Sequence, residues 1–336
     1  MRIVFGGGWN LSAEIERLIC QSCGVERCEL GEVIQRLWSG YGVIQKVDLI
    51  GDIFTPAVVK HVDLSEHRSN RRGWDGDVSH QRKVKSYEVE NEFYRNFSGR
   101  CSSMARVPKL LGATQLSEGQ GWVIVLEDLD SAGFAERKSR VDMTDVKNCL
   151  RWIANFHAEF MTDRGEGLWE TGTYWHLATR PDELAAMNEG LLKQAAKAID
   201  ERLSACKFQT LVHGDAKLAN FCFADDKGKL PAVSAVDFQY VGRGCGMKDV
   251  VYFLTSCLDD RRCEQEYEQL LGFYFENLAE ALGRDFERMA DLENEWRSMF
   301  AMAWADFNRF LNGWSPGHWK LTPFSQRMTD EALRML

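Results

Sequence analysis

Residues 211–240 read LVHGDAKLANFCFADDKGKLPAVSAVDFQY, and this stretch decides the fold. Within it, the aromatic and small residues of 221–224 alternate as in a β-strand. Residues 225–228 favour a chain reversal, because Gly supplies a positive φ and Asp hydrogen-bonds its own backbone. Residues 233–236 would then return as a second strand. The stretch therefore predicts a β-hairpin that follows a loop at residues 213–215.

Three polar side chains stand at the ends of these predicted strands. Asp215 lies in the loop, Asn220 precedes the first strand and Asp237 follows the second, so the hairpin would bring Asn220 and Asp237 to the same end. Two oxygen ligands fit Mg²⁺, which keeps several waters and binds through few protein oxygens. Phosphoryl transfer needs such a metal and a separate carboxylate that accepts the proton of the attacking hydroxyl. We expect Asn220 and Asp237 to bind the metal and Asp215 to be the catalytic base.

The composition is that of an ordinary globular protein. The chain has 336 residues, of which 45% are hydrophobic and 27% charged, and its formal net charge of -9 argues against binding the phosphate backbone of nucleic acids. No run of about 18 apolar residues predicts a membrane span. The first ten residues lack the apolar region of a secretory signal, so a cytoplasmic location is the expectation.

Ten cysteines are scattered irregularly, which indicates reduced thiols rather than a disulfide framework. Cys20, Cys23 and Cys28 form a cluster in the sequence, but no second pair of Cys or His follows at zinc-ribbon spacing. Core thiols and a metal or redox site are the two interpretations of this cluster.

The pattern HGDxxxxN at 213–220, followed by DFQ at 237–239, resembles the aminoglycoside phosphotransferase and choline kinase superfamily. HGDAKLANF and VDFQ are most similar to the ecdysteroid kinase-like (CHK kinase-like) family. The resemblance implies an α+β, protein-kinase-like two-lobed fold, with a small mixed β-sheet N-lobe and a larger, mostly helical C-lobe. It implies a nucleotide-binding lobe at residues 1–130, ending in the hinge, and a catalytic and substrate-binding lobe at 131–336. ATP and Mg²⁺ would be the cofactors.

The same resemblance assigns residues around the nucleotide. Lys60 interrupts an apolar strand run at residues 57–62 and would bind the phosphates, whereas on its own it would be interpreted as an edge-strand lysine facing water. Glu90 would be its partner on a helix, with Glu88 and Glu92 as alternatives.

A glycine-containing reversal and an apolar strand complete the predicted nucleotide site. Gly40 and Gly42 would cover the phosphates with backbone N–H groups, although a plain hairpin turn explains them equally well. Trp122 to Leu126 reads as a buried strand, after which Glu127 and Leu129 resemble a hinge that binds adenine.

Four other side chains near the predicted catalytic loop are interpreted as follows. Lys217 would reach the transferred phosphate or only cover the surface. His213 is expected to orient the loop and His157 to be a packing histidine. Asp249 fits a structural aspartate that satisfies backbone N–H groups, and helix capping also explains it.

Periodicity predicts the remaining elements. Helices are expected at 11–23, 87–97, around 146–160, at 182–203 and through the tail from 264. Residues 64–86 are expected to form a solvated basic loop, and residues 242–246 a flexible segment. Aromatic residues of the tail would reach the acceptor pocket in this fold. Trp304, Asp306 and Trp314 are the candidate substrate contacts.

These observations predict an ATP- and Mg²⁺-dependent kinase that phosphorylates a hydroxyl group of a small molecule, without nucleic acid or membrane partners. A catalytically silent nucleotide-binding protein of the same fold is the alternative. Protein-kinase activity is disfavoured by HGD where those enzymes have HRD, and by Gln239 where they have Gly. Aminoglycosides, choline-like amines, sterols and sugars all stay open as acceptors.

Overall fold

The computed structural model describes residues 13–37, 40–64, 77–116, 121–225 and 231–336. The chain divides into two compact units, Met1–Ser79 with Pro108–Ala132, and His80–Val107 with Gly133–Leu336. The first is built on a β-sheet and the second is mostly helical, which confirms the predicted α+β class. Residues 80–107 belong to the second unit although they precede residue 130. The predicted division into two lobes at residue 130 stays a prediction.

The first unit is a five-stranded sheet with one helix against it. Its strand order is β1-β2-β3-β5-β4, and every neighbouring pair is antiparallel rather than mixed, because short reversals join β1 to β2 and β2 to β3. The elements are α1 (Ala13–Cys23), β1 (Arg27–Arg36), β2 (Gly42–Ile50), β3 (Thr55–Asp63), β4 (Leu110–Gln115) and β5 (Gly121–Glu127).

The core of this unit forms where α1 packs on the sheet. Ile15 and Ile19 are buried against sheet residues such as Val47 and Val59. This arrangement confirms the predicted helix from residue 13 onward and the strands on both sides of the glycine reversal. Gly42 has a φ of 134°, and a Cβ there would lie 1.9 Å from the carbonyl oxygen of His61, so only glycine fits.

The second unit packs helices around two small two-stranded sheets. In it, α3 packs on α7, and α9 is surrounded by α4, α5, α6 and α10. Its elements are α2 (Asp77–Glu92), which begins three residues before the unit, α3 (Met143–Glu159), α4 (Pro181–Ala186), α5 (Leu191–Ser204), β6 (Thr210–Val212), β7 (Phe221–Phe223), β8 (Val233–Ala235), β9 (Gly242–Gly244), α6 (Met247–Cys257), α7 (Asp260–Leu282), α8 (Met289–Ser298), α9 (Phe300–Trp314) and α10 (Pro323–Arg334).

Two predictions about helices were wrong in part. The basic loop expected at 64–86 is helical from Asp77 onward, because α2 buries residues of its second half such as Tyr87 and Val89, while residues 65–76 lie outside those described. The helix expected at 182–203 is divided into α4 and α5. The chain leaves α4 at Met187, whose backbone is extended, and Gly190 is also extended before α5 begins.

The prediction of a flexible segment at 242–246 was also wrong. Gly242–Gly244 forms β9 and pairs with β6, with Thr210 opposite Gly244. A Cβ at Gly242 would lie 2.2 Å from the carbonyl oxygen of Trp169. The glycine therefore permits a close approach of two backbones.

The three clustered cysteines are core thiols of the first unit. Cys28 is buried, and Cys20 and Cys23 pack against the same core. Burial, followed by the neighbouring thiol of Cys20, raises the pKa of Cys28 to about 12. No group of three or more His, Cys, Asp or Glu side chains that could hold a metal was found among the described residues.

Across the part of the chain that the structure describes, no helix is both long enough and apolar enough to traverse a lipid bilayer.

Candidate active site

The predicted hairpin is present and brings two of the candidate residues together. Phe221 of β7 pairs with Ala235 of β8, and the backbone N–H of Val236 donates to the carbonyl oxygen of Asn220 at 3.0 Å. Asn220 therefore lies beside the strand end that Asp237 follows. Residues 226–230 of the predicted turn lie outside the described part of the chain.

The loop at 213–215 is held by Asp249, in the first turn of α6. Its carboxylate accepts from the backbone N–H of His213 at 2.5 Å and from that of Gly214 at 2.9 Å. This confirms that Asp249 satisfies backbone N–H groups. Helix capping is not its role, since Gly246 is the N-cap residue of α6. A fully buried carboxylate with these donors fixes the loop in one conformation.

Gly214 is required by the same loop. Its φ is 78°, and a Cβ would lie 2.0 Å from the carbonyl oxygen of Tyr240. Neither the backbone angle nor the space suits another residue.

His213 connects the loop to the hairpin through both ring nitrogens. Nδ1 accepts from the backbone N–H of Asp215 at 3.2 Å, so Nε2 carries the proton and donates to the carbonyl oxygen of Val236 at 3.0 Å. The predicted orienting role of His213 is confirmed.

His157 is fully buried, as expected of a packing histidine. Its Nδ1 lies 2.8 Å from the hydroxyl of Tyr274 and its Nε2 lies 3.2 Å from Asp249. It therefore supports the carboxylate that holds the loop.

Asp215 is buried at the centre of a small polar cluster. Its Oδ2 accepts from Lys217 Nζ at 2.8 Å and from Asn220 Nδ2 at 3.1 Å, and Asn220 Nδ2 also donates to the Asp215 carbonyl oxygen at 2.8 Å. Burial raises the pKa of Asp215, Lys217 opposes that shift, and the negative charge of Asp237 adds to it. The structure thus places Asp215, Lys217 and Asn220 in direct contact and Asp237 within electrostatic range.

Lys217 responds to the same charges. Burial opposes its positive charge, but the carboxylates of Asp215 and Asp237 outweigh burial and raise its pKa. Its ammonium therefore stays charged beside Asp215 at neutral pH.

Asp237 has a strained backbone. Its φ is 71°, in the left-handed region that residues other than glycine rarely adopt and that costs about 1–3 kcal/mol. The neighbouring Phe238 fixes this conformation, since its ring stacks on Phe93 with centroids 3.9 Å apart and lies 4.5 Å from the ring of His213. Such strain is concentrated at functional positions.

Gln239 makes a contact that the sequence did not predict. Its Oε1 accepts from Lys83 Nζ at 2.8 Å and lies 3.4 Å from Ser86 Oγ, and both donors belong to α2. Because residues 64–86 read as a loop, nothing in the sequence indicated that Lys83 would face this position.

The predicted phosphate-binding lysine lies on a central strand of the first unit. Lys60 is buried on β3, opposite Ile44 of β2 and Ile124 of β5. Its predicted partner Glu90 is buried on α2, which is mainly part of the second unit. Their functional roles stay predictions.

The other predicted nucleotide contacts also lie in the first unit. Gly40 has a φ of 80°, and Gly42 begins β2. Glu127 ends β5 and accepts from the backbone N–H of Lys109 at 3.2 Å, and Leu129 is buried just beyond it. A role in binding adenine or phosphate stays a prediction for each of them.

Two of the three candidate substrate contacts are enclosed by protein. Trp304 is 2% exposed, and its Nε1 donates to Ser325 Oγ at 3.0 Å. Asp306 is fully buried and accepts from Trp175 Nε1 at 3.0 Å and from Arg309 Nη2 at 2.9 Å. Both lie on α9, a central helix of the unit, so protein partners account for them without a ligand.

Trp314, the third candidate, is 41% exposed at the end of α9. Its ring stacks on Phe310 with centroids 5.8 Å apart and lies 5.9 Å from the ring of His318. It is accessible to a ligand.

Tyr252 and Lys320 lie near Asp215 and were not among the predicted site residues. Burial, followed by the charge of Asp215, raises the pKa of Tyr252. Burial lowers the pKa of Lys320 to about 8, and the charge of Asp215 opposes that shift. Tyr252 is on α6 and Lys320 follows α9, so no local pattern connects either of them to the HGD loop.

The ecdysteroid kinase-like family model matches residues 168–284. The match includes Asp215, Asn220 and Asp237, and it confirms the resemblance stated from the motif. No curated protein sequence matches the chain significantly.

Solved structures of similar fold are small-molecule kinases by name. A microcompartment-associated aminopropanol kinase is 14% identical over 97% of this chain and 100% of its own, with a TM-score of 0.50. A candidate aminoglycoside phosphotransferase from Ralstonia eutropha is 11% identical over 96% and 94%, with a TM-score of 0.49. The choline kinase LicA from Streptococcus pneumoniae is 11% identical over 96% and 98%, with a TM-score of 0.46. The likeness to the aminopropanol kinase supports the kinase-like fold. At 14% identity this likeness shows the fold and not the activity.

Proposed function

We propose that this protein is an ATP- and Mg²⁺-dependent phosphotransferase that phosphorylates a hydroxyl group of a small molecule. The observation that carries the proposal is the buried carboxylate of Asp215, held by Lys217 and Asn220 beside the strained Asp237. The family-model match over this stretch and the fold likeness support it.

Asp215 is the proposed catalytic base. The acceptor hydroxyl attacks the γ-phosphorus of ATP, its proton passes to Asp215, and the bond between the γ-phosphorus and the bridging oxygen of ADP breaks. The raised pKa of Asp215 suits proton acceptance, since a base works best when its pKa approaches the working pH. Lys217 offers a positive charge to the phosphoryl oxygens while it holds Asp215 in place.

The donor set fits Mg²⁺. Asn220 uses its amide nitrogen for both bonds to Asp215, which leaves its amide oxygen for a cation, and Asp237 supplies a carboxylate at the same end of the hairpin. When bound, the ion would neutralise negative charge that develops on the phosphoryl oxygens.

The family resemblance assigns the nucleotide contacts residue by residue. Lys60 would bind its phosphates, Glu90 would fix Lys60, Gly40 and Gly42 would offer backbone N–H groups, and Glu127 with Leu129 would contact adenine. These roles come from the family resemblance, and the strand positions of Lys60 and Gly42 are compatible with them.

Two measurements test the proposal. The first is the melting shift of the full chain with ATP, with and without Mg²⁺. The second is transfer of labelled γ-phosphate across a library of hydroxyl compounds. Binding of Mg²⁺-ATP with transfer to at least one alcohol is expected. Binding without transfer to any compound would identify the silent nucleotide-binding alternative instead.

A further inference from the structure

A lysine ammonium lies over an aromatic surface in the second unit. Lys320 Nζ is 4.8 Å from the ring centroid of Tyr252, 5.3 Å from that of Phe307 and 5.5 Å from that of Trp319. It also donates to Thr255 Oγ1 at 3.5 Å. The faces of aromatic rings attract cations, so this surface would suit a ligand ammonium if the lysine were absent.

In the part of the chain that the structure describes, no carboxylate forms an ion pair with this ammonium. Among the described residues Lys320 forms no ion pair, whereas Lys217 has Asp215 at 2.8 Å. A half-buried charge without a counter-ion is unfavourable, which agrees with the lowered pKa of Lys320. Its hydrogen bond to Thr255 Oγ1 is long, at 3.5 Å, so the ammonium keeps donor capacity for an oxygen atom of a ligand.

The backbone of Lys320 is fixed. Its carbonyl oxygen accepts from Ser325 Oγ at 2.7 Å, and its N–H donates to His318 Nδ1 at 3.2 Å. Trp304 Nε1 in turn donates to Ser325 Oγ at 3.0 Å, so α9 supports the segment. Trp304 therefore holds the position of Lys320.

Lys320 is also within electrostatic range of the proposed base. The charge of Asp215 affects the pKa of both Lys320 and Tyr252, and the ammonium of Lys320 lies over the Tyr252 ring. A small molecule whose hydroxyl reaches Asp215 would bring its neighbouring groups close to Lys320.

We propose that Lys320 determines which acceptors are phosphorylated: its ammonium donates to an oxygen of an uncharged or acidic hydroxyl compound and excludes alcohols that carry an ammonium group. This inference rests on the proposed phosphotransferase function. The positive charge that a choline-like acceptor would place on the aromatic rings is already supplied by the chain. Two like charges about 6 Å apart at an effective dielectric constant of about 20 repel enough to weaken binding about 100-fold.

The first experiment measures γ-phosphate transfer from Mg²⁺-ATP by the full chain to three classes of alcohol. Choline, ethanolamine and kanamycin are the cationic class. Glycerol, inositol and a polyhydroxylated sterol are the uncharged class, and glycerate, pantothenate and hydroxypivalate are the acidic class. Acceptors from the uncharged or acidic classes are expected, with kcat/KM at least about 10-fold above that of any cationic compound.

The second experiment uses variants with the best acceptor found. Lys320→Met keeps the aliphatic stem without the charge and should lower kcat/KM for that acceptor about 10- to 100-fold, while inhibition by choline becomes stronger. Lys320→Arg should restore part of the activity and the weak inhibition by choline. Lys197→Met removes a lysine that is 84% exposed and serves as the matched control, with wild-type values expected.

The outcomes separate this inference from the function on which it rests. Efficient phosphorylation of an ammonium alcohol, or equal kcat/KM in Lys320→Met and wild type, would overturn the role of Lys320 and leave the phosphotransferase intact. Transfer to no alcohol of any class would overturn the proposed function, and the inference with it.

Discussion

Asp215 is the residue on which the proposed reaction depends most directly. Asp215→Asn keeps the size of the side chain and removes its ability to accept a proton, so turnover should fall about 100- to 10,000-fold. Circular dichroism and thermal melting should show a folded protein, because the amide still occupies the space between Lys217 and Asn220. Turnover within a few-fold of wild type would contradict the assignment of Asp215 as base.

The charge of Lys320 gives the acceptor preference a dependence on pH. With a pKa of about 8, the ammonium is charged below that pH and neutral above it. The repulsion of a cation should therefore weaken as the pH rises through about 8. The charged or titratable groups that face Lys320 are Asp215, Lys217, Cys257 and His318, besides the ring of Tyr252.

This dependence is measured as the inhibition constant of choline against an uncharged acceptor. The constant should decrease from pH about 7 to about 9 in the wild type and stay level in Lys320→Met. Since both proteins share the other titrating groups, the comparison isolates Lys320. An equal slope in the two proteins would count against it.

The proximity of the proposed catalytic residues was predictable because they lie within one loop and the hairpin that follows it. Asp215, Asn220 and Asp237 are separated by 22 positions at most, and turn chemistry with strand alternation brings their ends together. Tyr252 and Lys320 belong to a helix and a later connection, and packing of the whole unit places them near Asp215. The periodicity of hydrophobic residues in the sequence does not predict a contact between residues so far apart in the chain.

At the scale of elements, α6 and the HGD loop are joined by one carboxylate. Asp249→Ala would leave the N–H groups of His213 and Gly214 without their acceptor and the Nε2 atom of His157 without its partner. Each buried polar group left unsatisfied costs about 1–3 kcal/mol, so the loss of three partners should lower the free energy of unfolding by about 3–9 kcal/mol. Urea denaturation measures this loss. An unchanged midpoint would show that the loop has other support.

Two glycines in the second unit should respond to alanine in opposite ways. At Gly214 the φ of 78° and the close carbonyl oxygen of Tyr240 make Gly214→Ala destabilising, by about 2 kcal/mol or more, and damaging to activity. Gly272 lies inside α7 with open space around its Cβ position, and Gly272→Ala should stabilise by about 0.5–1 kcal/mol. Thermal melting of both variants would decide, and similar shifts in the two would contradict this account.

Most elements of the first unit followed from alternation and glycine reversals. The errors occurred where packing overrides local pattern. The first turns of α2 carry many polar residues and read as a loop, but the helix is stabilised where its second half buries Tyr87 and Val89. In β9, glycines that suggest flexibility are instead needed for close contact between backbones.

In the whole molecule, the second unit is built from two separate segments of the chain, and this affects the stability of any fragment that lacks one of them. Residues 80–107 group with residues 133–336, and Phe93 from the earlier segment stacks on Phe238. A fragment that begins at Gly133 would expose a large aromatic surface normally covered. We expect it to unfold without cooperativity in thermal denaturation, and we expect fusion of residues 80–107 through a flexible linker to restore a cooperative transition. A sharp transition in the fragment alone would contradict this.

The likeness to an aminopropanol kinase does not decide the acceptor of this protein. At 14% identity it concerns the arrangement of the chain, while the ammonium of Lys320 disfavours amino alcohols by simple repulsion. The whole-chain comparison therefore concerns the fold, and the acceptor preference proposed above rests on the local electrostatics.

Lys320 lies 36 positions beyond the last residue that the family model matches, Arg284. Under the proposed role of Lys320, replacement of this one lysine would change the acceptor preference and leave the HGD and DFQ motifs unaltered. Classification by those motifs would then group together chains that phosphorylate different classes of metabolite.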